Sequence, residues 1–504
     1  MGSGNRHVEV ERKFDVPAGT VFPSFDGLAA VSRVERQPAQ SLDAVYFDTP
    51  DRDLAAHRIT LRRRTGGPDA GWHLKLPAGP DARTEVHAPL DTSAEADDTA
   101  VPEELLDIVL AIVRDRPLAP VARITTTRNV VMLYGVDGSG LAEFCDDQVS
   151  AWALGVVDGE AGEELRWHEW ELELVEGEIE GAREVLQRLG NRLLDAGAAP
   201  AGHGSKLAKV LDTAGALPEQ AEDPEEPSDP VHRAVAEQVD ELLVWDRAVR
   251  ADTYDSVHQM RVTTRKIRSL LQASTDSFGI SEDAWILDEL RQLAGVLGIA
   301  RDAEVLAERY EATLKDLPDD LIRGPVYERL VDGAQRSYQS GLRRSLTAMR
   351  STRYFRLLDA LEGLVATQPA EAAPGEEPKP VSLDSAYKRV RKAAKNAAEA
   401  TEDRDEALHR IRKGAKRLRY VAAATGEPKV SDRAKTIQTL LGDHQDSTVS
   451  RAHLAQQSLV AHAAGEDTFT YGLLYQLEDD LANRCREQLD DALSALRKTF
   501  KKSH

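Results

Sequence analysis

Hydrophobic and polar positions change period part-way along this chain. Over 8–14, 44–47, 59–64, 72–76, 141–147 and 168–175 they alternate one by one, the pattern of strands with one apolar and one polar face. Pro50-Asp51, Gly66-Gly67-Pro68, Asp137-Gly138 and Glu176-Gly177 provide turns between several of these runs. Helices are predicted near 102–114 and 180–196. Beyond residue 230 the apolar spacing becomes three to four, as at Leu287, Leu290, Leu293 and Leu297, which predicts helices. Two stretches rich in proline and acid, 213–230 and 366–382, lack an apolar face and read as linkers. The pattern therefore predicts an α+β chain. A domain of antiparallel strands with flanking helices spans 5–212. An all-α domain spans 231–504, with halves 231–365 and 383–504.

The polar faces of the strands carry unusually many charges. Successive side chains on a strand point to opposite faces, so Glu9, Glu11 and Lys13 share one face. By the same rule Arg62 joins Arg64, His73 joins Lys75, Glu143 joins Asp147, and Glu169, Glu171 and Glu173 stand together. A single such strand needs no more than water on its polar side. Several of them, closed into a barrel with the apolar faces outward, would gather these charges in a lumen. Buried charges are costly unless they pair, stay hydrated or bind something. Clustered carboxylates suit Mg²⁺ or Mn²⁺, and Arg and Lys suit phosphate oxygens. Together they fit a metal–polyphosphate complex.

The helical half contains a repeat. Residues 255–271 align with 406–422, so His258, Arg261, Arg265 and Arg268 meet His409, Arg412, Lys416 and Arg419. A second block follows in each copy, Leu297-Gly298 with Arg301-Asp302 and Leu441-Gly442 with Gln445-Asp446. A long repeat present twice points to two pseudo-symmetric halves, not to a solenoid. In each copy the His–Arg–basic–Arg residues fall on one helix face, with Val257, Met260, Ile267 and Leu271, or Leu408, Ile411, Ala415 and Leu418, available for burial. Lys413 flanks the second stripe. Two such stripes brought together would form a basic channel for a linear polyanion, with affinity that falls as salt rises. Few aromatics interleave them, which favours a bare phosphate chain over single-stranded nucleic acid.

Net charge at first argues against an anion-binding protein, since the 504 residues sum to -22. The distribution changes that picture. Residues 1–228 carry 22 Lys and Arg against 42 Asp and Glu, and the remainder carries 42 against 44, so most basic residues lie in the helical half. Mean hydropathy is -0.43 and no apolar run is long enough to span a bilayer. The first ten residues show no secretory signal pattern. Cys145 and Cys485, far apart in sequence, suit a reducing compartment, so a cytoplasmic protein without membrane contact is expected.

Residues 5–212 resemble the CYTH domain of the triphosphate tunnel metalloenzymes. Glu9-x-Glu11-x-Lys13 matches the family's ExExK signature. The stretch 46–64 supplies Arg62 and Arg64, HLKLP supplies Lys75, and RTE supplies Arg83 and Glu85. Arg123 and Arg128 fall where the family carries further basic residues. AEFCDDQV supplies Glu143 and Asp147, EWELEL supplies Glu169, Glu171 and Glu173, and GSKLAK supplies Lys206. The resemblance implies an eight-stranded antiparallel tunnel. It assigns catalysis to Glu9, Glu11 and Lys13. It assigns metal binding to Glu9, Glu11, Asp147, Glu169, Glu171 and Glu173, and substrate binding to Arg62, Arg64, Lys75, Arg83, Arg123, Arg128 and Lys206.

Residues 231–504 resemble the CHAD domain, the conserved histidine α-helical domain. That resemblance implies two pseudo-symmetric four-helix bundles that bind inorganic polyphosphate through His258, Arg261, Arg265, Arg268, Arg301, His409, Arg412, Lys413, Lys416 and Arg419. Gln445 stands where the first copy has Arg301, so the two halves are not equivalent. The combined expectation is a divalent-metal-dependent hydrolase of inorganic triphosphate or polyphosphate, associated with polyphosphate granules. The alternatives are a non-enzymatic polyphosphate-binding protein, an adenylate cyclase and a thiamine triphosphatase.

Overall fold

A computed structural model describes residues 6–79, 82–91, 99–155, 162–175, 182–216, 230–273, 278–281, 284–366, 383–399 and 404–503. Most of the two segments read as linkers, 217–229 and 367–382, lies outside the described residues. The chain forms two compact units, Met1–Ala294 with Leu346–Pro369, and Gly295–Ser345 with Ala370–His504.

The first unit is built on a closed antiparallel barrel. Its strands are β1 (Arg6–Asp15), β3 (Gln40–Asp48), β4 (Thr60–Thr65), β5 (Gly71–Gly79), β6 (Ala82–Ala88), β7 (Ala119–Tyr134), β8 (Gly140–Ala153) and β9 (Leu165–Leu174), with short β2 (Arg33–Arg36) on β7 and β10 (Ala199–Pro200) on β1. The order runs β1-β6-β5-β4-β3-β7-β8-β9, and β1 closes it. β1 does so by changing neighbour midway: residues 6–10 pair with β6, and Glu11–Asp15 pair with β9. Closure removes unpaired edges, and eight strands leave an interior just wide enough for side chains or one small ligand.

The alternation seen in the sequence is realised around this barrel. Trp72, Leu74, Leu61 and Phe47 face outward onto helix α2 (Glu103–Val113), which follows the short α1 (Asp53–Ala56). Phe14, Phe144, Trp170 and Leu172 face outward onto Leu186, Leu189 and Leu193 of α3 (Ala182–Asp195). Burial of each such side chain contributes about 1.5–3 kcal/mol, which offsets the cost of a charged interior. A fourth helix, α4 (Lys206–Thr213), starts at Ser205, whose hydroxyl accepts from the Ala208 amide. Its Leu207, Val210 and Leu211 pack on Ala44, Ile124, Val149 and Ala151. Ala44 pairs with Arg64 and so lies on the inward face; α4 thus stops one end of the lumen. The unit also holds α5 (Pro230–Arg250), α6 (Ser256–Ala273), the start of α7 (Trp285–Asp316) and α9 (Thr352–Ala366), the last two on either side of α8 (Gly333–Met349) in the chain.

The second unit contains the rest of α7, most of α8, and α10 (Leu383–Glu399), α11 (Arg404–Ala424), α12 (Pro428–Ala463) and α13 (Phe469–Ser503). Val390, Ile411, Leu418, Ile437, Leu441, Leu489 and Phe500 join α10–α13 in one core. Gly414 lets α10 and α11 approach closely, since a Cβ there would sit 3.3 Å from Val390. The repeated blocks fall on matching elements: the first on α6 and α11, the second on α7 and α12. Among the described residues no helix is long and apolar enough to cross a membrane.

Candidate active site in the barrel lumen

The registers place the charged residues on one inner wall. Lys75 stands opposite Glu85, Arg62 opposite His73, Arg128 opposite Asp147, Asp147 opposite Glu169, Glu11 opposite Glu173 and Lys13 opposite Glu171. The structure thus brings together Glu9, Glu11, Lys13, Arg62, Arg64, Lys75, Arg128, Asp147, Glu169, Glu171, Glu173 and Lys206. Two of the residues named from sequence sit elsewhere. Arg83 lies at the rim, where it donates to the carbonyls of Arg58 (3.3 Å) and Gly204 (3.0 Å). Arg123 faces outward, 54% exposed, and forms a bidentate pair with Asp43 (3.0 and 2.6 Å). It lies five positions before inward-facing Arg128, and an odd offset puts two side chains on opposite faces of one strand.

Within the lumen the charges are unevenly matched. Lys206, from α4, reaches Asp147 (3.0 Å), Glu169 (2.6 Å) and Glu171 (2.8 Å) with its ammonium. Arg128 binds Asp147 in bidentate fashion (2.8 and 2.6 Å) and also contacts Glu171. Lys13 bridges Glu11 (2.6 Å) and Glu171 (3.2 Å). Burial opposes the charge on Glu11 and Glu171, but these cations hold Glu11 down to about 2 and Glu171 well below the usual carboxylate range.

A second carboxylate group has less compensation. Glu9 accepts from Lys75 at 2.5 Å, yet burial and a proton shared with Glu85 push it up to about 8. Burial and the neighbouring charges of Glu11, Glu171 and Glu143 push Glu173 up to about 7, against the pull of Lys75. Oxygens of Glu9 and Glu173 and a ring nitrogen of His7 lie within 4.8 Å of one another. Burial that the neighbouring cations compensate only in part sets Glu9 and Glu173 apart from Glu11 and Glu171. The Asp147–Glu169–Glu171 group has the same spacing, but Lys206 already occupies its centre. Hard oxygen ligands of this kind could hold a divalent metal ion, most readily at Glu9 and Glu173.

The opposite imbalance surrounds the arginines. Burial, with Arg62 and Arg128 alongside, pushes Arg64 down to about 9. The Nε–H groups of Arg62 and Arg64 are buried without a hydrogen-bond partner among the described residues. Guanidiniums crowded together with donors unused make a site for an anion. Two contributors had no role assigned from sequence, Tyr46 and Glu85, the latter supplied by the RTE block. The Tyr46 hydroxyl accepts from Arg62 at 3.4 Å, and although burial opposes ionisation, Arg62, Lys206 and Lys75 hold it below its ordinary range. Glu85, opposite Lys75, contacts His73 (2.8 Å), His7 (3.4 Å) and Arg62 (3.9 Å). Tyr46 precedes Phe47 in an alternating run, so its inward direction was legible; its position beside Arg62 follows from strand pairing.

The two His–Arg stripes lie on α6 and α11. On α6, in the first unit, His258, Arg261 and Arg268 are half-buried and Arg265 is exposed; Arg261 donates to the Ala294 carbonyl at 3.3 Å. On α11, in the second unit, His409, Arg412, Lys416 and Arg419 are half-buried and Lys413 is exposed. Gly442 makes room for Arg412, whose Nη2 would lie 3.4 Å from a Cβ at that position. Arg419 donates to Gln438 at 3.4 Å. Arg301 pairs with Glu304 at 2.8 Å. Burial and Lys413 push His409 below its ordinary range.

Known proteins share both parts. A CYTH domain model matches residues 7–195 and a CHAD domain model matches 233–455. The chain is 64% identical over 511 aligned residues to "Uncharacterized protein Rv2226" of Mycobacterium tuberculosis, covering 99% of this chain and 98% of that protein. Among solved structures, PptA from Streptomyces chartreusis is similar at 20% identity with a TM-score of 0.44, covering 52% of this chain and 98% of that one. The CHAD domain from Ricinus communis is similar at 23% identity with a TM-score of 0.40, covering 53% and 90%. With both domain models matched in order and a relative similar along its whole length, this chain belongs to the proteins that join a CYTH domain to a CHAD domain.

Proposed function

We propose that the barrel hydrolyses inorganic triphosphate or polyphosphate with a divalent metal ion, and that the CHAD domain binds inorganic polyphosphate. The observation that carries this reading is the split lumen, with unused arginine donors at Arg62 and Arg64 and under-compensated carboxylates at Glu9 and Glu173. A metal–phosphate complex satisfies both imbalances at once. Arg62, Arg64 and Arg128 bind and orient the phosphate oxygens, Lys75 and Lys13 add positive field, and Tyr46 offers a hydroxyl beside Arg62. Glu9 and Glu173 would hold the Mg²⁺ or Mn²⁺, with Glu11 on the same inner face. A divalent ion held by these carboxylates would neutralise phosphate charge and make a nearby water more acidic. Attack of water on the terminal phosphorus forms one P–O bond as the bridging P–O bond breaks, giving orthophosphate and a shortened chain whose new terminal oxygen the basic residues hold, while the proton of the water passes to solvent.

The deciding assay measures phosphate release by purified protein from triphosphate, polyphosphate and ATP in parallel. Metal-dependent release from triphosphate supports the proposal. Product only from ATP, as cyclic AMP, would replace it with a cyclase, and no turnover of any of them would leave a binding protein.

The protonated carboxylates set the pH dependence of metal binding. A metal must displace protons that burial retains on Glu9 and Glu173. Affinity for Mg²⁺ or Mn²⁺ is therefore expected to rise as pH climbs through about 7 and 8, with protons released on binding. Calorimetry in buffers of different ionisation enthalpy reads both; affinity that is flat across this range would contradict the assignment.

The basic stripe on α11 supports polyphosphate binding through Arg412, Lys416 and Arg419, with the α6 residues His258, Arg261, Arg265 and Arg268 as the second copy. Arg412→Glu is expected to weaken polyphosphate binding about tenfold or more, since a charge-assisted contact becomes a repulsion. Binding should also weaken with added salt. Titration with labelled polyphosphate at several salt concentrations is the check, and an unchanged affinity would remove Arg412 from the surface.

A further inference from the structure

Beside the lumen lies a cavity of about 830 Å³ in the first unit. It is bounded by the turn before β4, the β5–β6 hairpin, α3 and the loop from β10 into α4. Its lining includes Arg12, Arg58, Arg83 and His203, with the amides of Gln187 and Asn191. Glu11 and Lys13, whose side chains belong to the lumen, also line it. The cavity therefore reaches the stretch of β1 where the barrel wall changes partner. On this side β6 pairs with β1 only as far as Val10, and β10 takes over only at Phe14.

We propose that this cavity is a vestibule for the continuing units of a phosphate chain longer than the three held in the lumen. The inference rests on the reading of the lumen as a triphosphate site and names the chemical class of what extends from it. Three observations carry it. The only carboxylate among the described lining residues is Glu11, against Arg12, Lys13, Arg58 and Arg83, so the described lining carries net positive charge. The rim is fixed, because Arg83 ties the Arg58 and Gly204 carbonyls together. The lining suits phosphate better than a nucleobase: its aromatic rings are Phe14, 4% exposed and packed against α3, and the His203 imidazole. A volume of this size accommodates several phosphate units. A bound chain passes between Val10 and Phe14 of β1, with terminal phosphates among Arg62, Arg64 and Arg128 and the remainder against Arg12 and Arg58.

The test uses the full-length protein and two readouts. First, Arg58→Glu and Arg12→Glu are assayed with medium-length polyphosphate and with triphosphate. Each is expected to raise KM for the chain roughly tenfold, the size of one charge-assisted contact, and to leave triphosphate kinetics unchanged. Equal effects on both substrates, or none on the chain, overturn the proposal. Second, Asn191→Cys places a reactive thiol in the cavity, while the native Cys145 and Cys485 are buried. Maleimide labelling in the presence of Mg²⁺ and a large excess of chain should slow several-fold, and triphosphate should not slow it. Labelling unaffected by the chain, or slowed as much by ATP, sinks the phosphate-chain assignment. Because labelling needs no turnover, an inactive enzyme would remove the hydrolase reading and still leave the vestibule tested.

Discussion

Glu9→Gln is expected to lower metal-dependent phosphate release from triphosphate by at least about 100-fold, since loss of even an outer-shell partner of a metal commonly costs ~10–100-fold. The substitution keeps the size and shape of the side chain and removes the charge on which the proposed metal site depends. Glu9 is 4% exposed, with Lys75 on one oxygen and Glu85 sharing its proton. The glutamine amide would keep a carbonyl acceptor for Lys75, so the barrel should remain folded. Activity should recover only partly at high metal concentration, and KM for the metal should rise more than KM for triphosphate. Steady-state kinetics with both metal and substrate varied separate these effects. Full activity in the variant would take the metal away from Glu9 and, with it, the proposed polarity of the lumen.

The second large effect concerns the stopper helix. Lys206→Met should destabilise the first unit by about 3–5 kcal/mol, the range for removing one partner of a buried ion pair. Its ammonium sits among Asp147, Glu169 and Glu171, all within 3.0 Å. Those carboxylates hold the Lys206 ammonium charged despite its burial, its affinity for a proton raised well above that of an ordinary lysine. Without it, Arg128 and, at Glu171 only, Lys13 are left to face the three carboxylates. The loss should be larger at high pH, where Glu171 must stay ionised, and smaller at low pH, where a proton on Glu171 can replace the lost cation. Added Mg²⁺ or Mn²⁺ should restore part of the stability by occupying the vacated centre. Denaturant unfolding at several pH values, with and without metal, gives the answer. A variant as stable as the wild type would mean that Lys206 does not anchor α4 in the barrel.

Function and fold share one device at this helix. α4 is held by Leu207, Val210 and Leu211 on the apolar part of the inner wall and by Lys206 on the charged part. The same ammonium fills a cluster that has the spacing of a metal site. A divalent ion can enter at Glu9 and Glu173 without moving α4, whereas entry at Asp147, Glu169 and Glu171 requires Lys206 to withdraw. Glutamates that look equivalent along the chain are thereby divided into two groups with different compensation.

Much of this protein is legible in its residues alone. Period-two alternation locates β1, β4 and β5 and most of the charged wall, because a strand's side-chain direction is a local property of its backbone. The α6 and α11 stripes are equally legible, since helical spacing fixes their face and the duplication shows them twice. β7 is hidden: in Ala119–Tyr134 the run Thr125-Thr126-Thr127 and the run Val130-Val131-Met132 break the alternation, and only pairing with both β3 and β8 reveals a strand. The outward direction of Arg123 is hidden for the same reason, its phase relative to Arg128 being meaningless until both lie on one strand. The inventory thus belongs to the local pattern, carboxylates and basic residues on inward faces and a doubled basic helix. Which of those charges meet is a matter of the folded chain. Barrel closure brings β1 to both β6 and β9, and α4 returns Lys206 to Asp147 from far along the chain. Electrostatic energy depends on distances through space, and those distances are set by long-range pairing that no local pattern encodes.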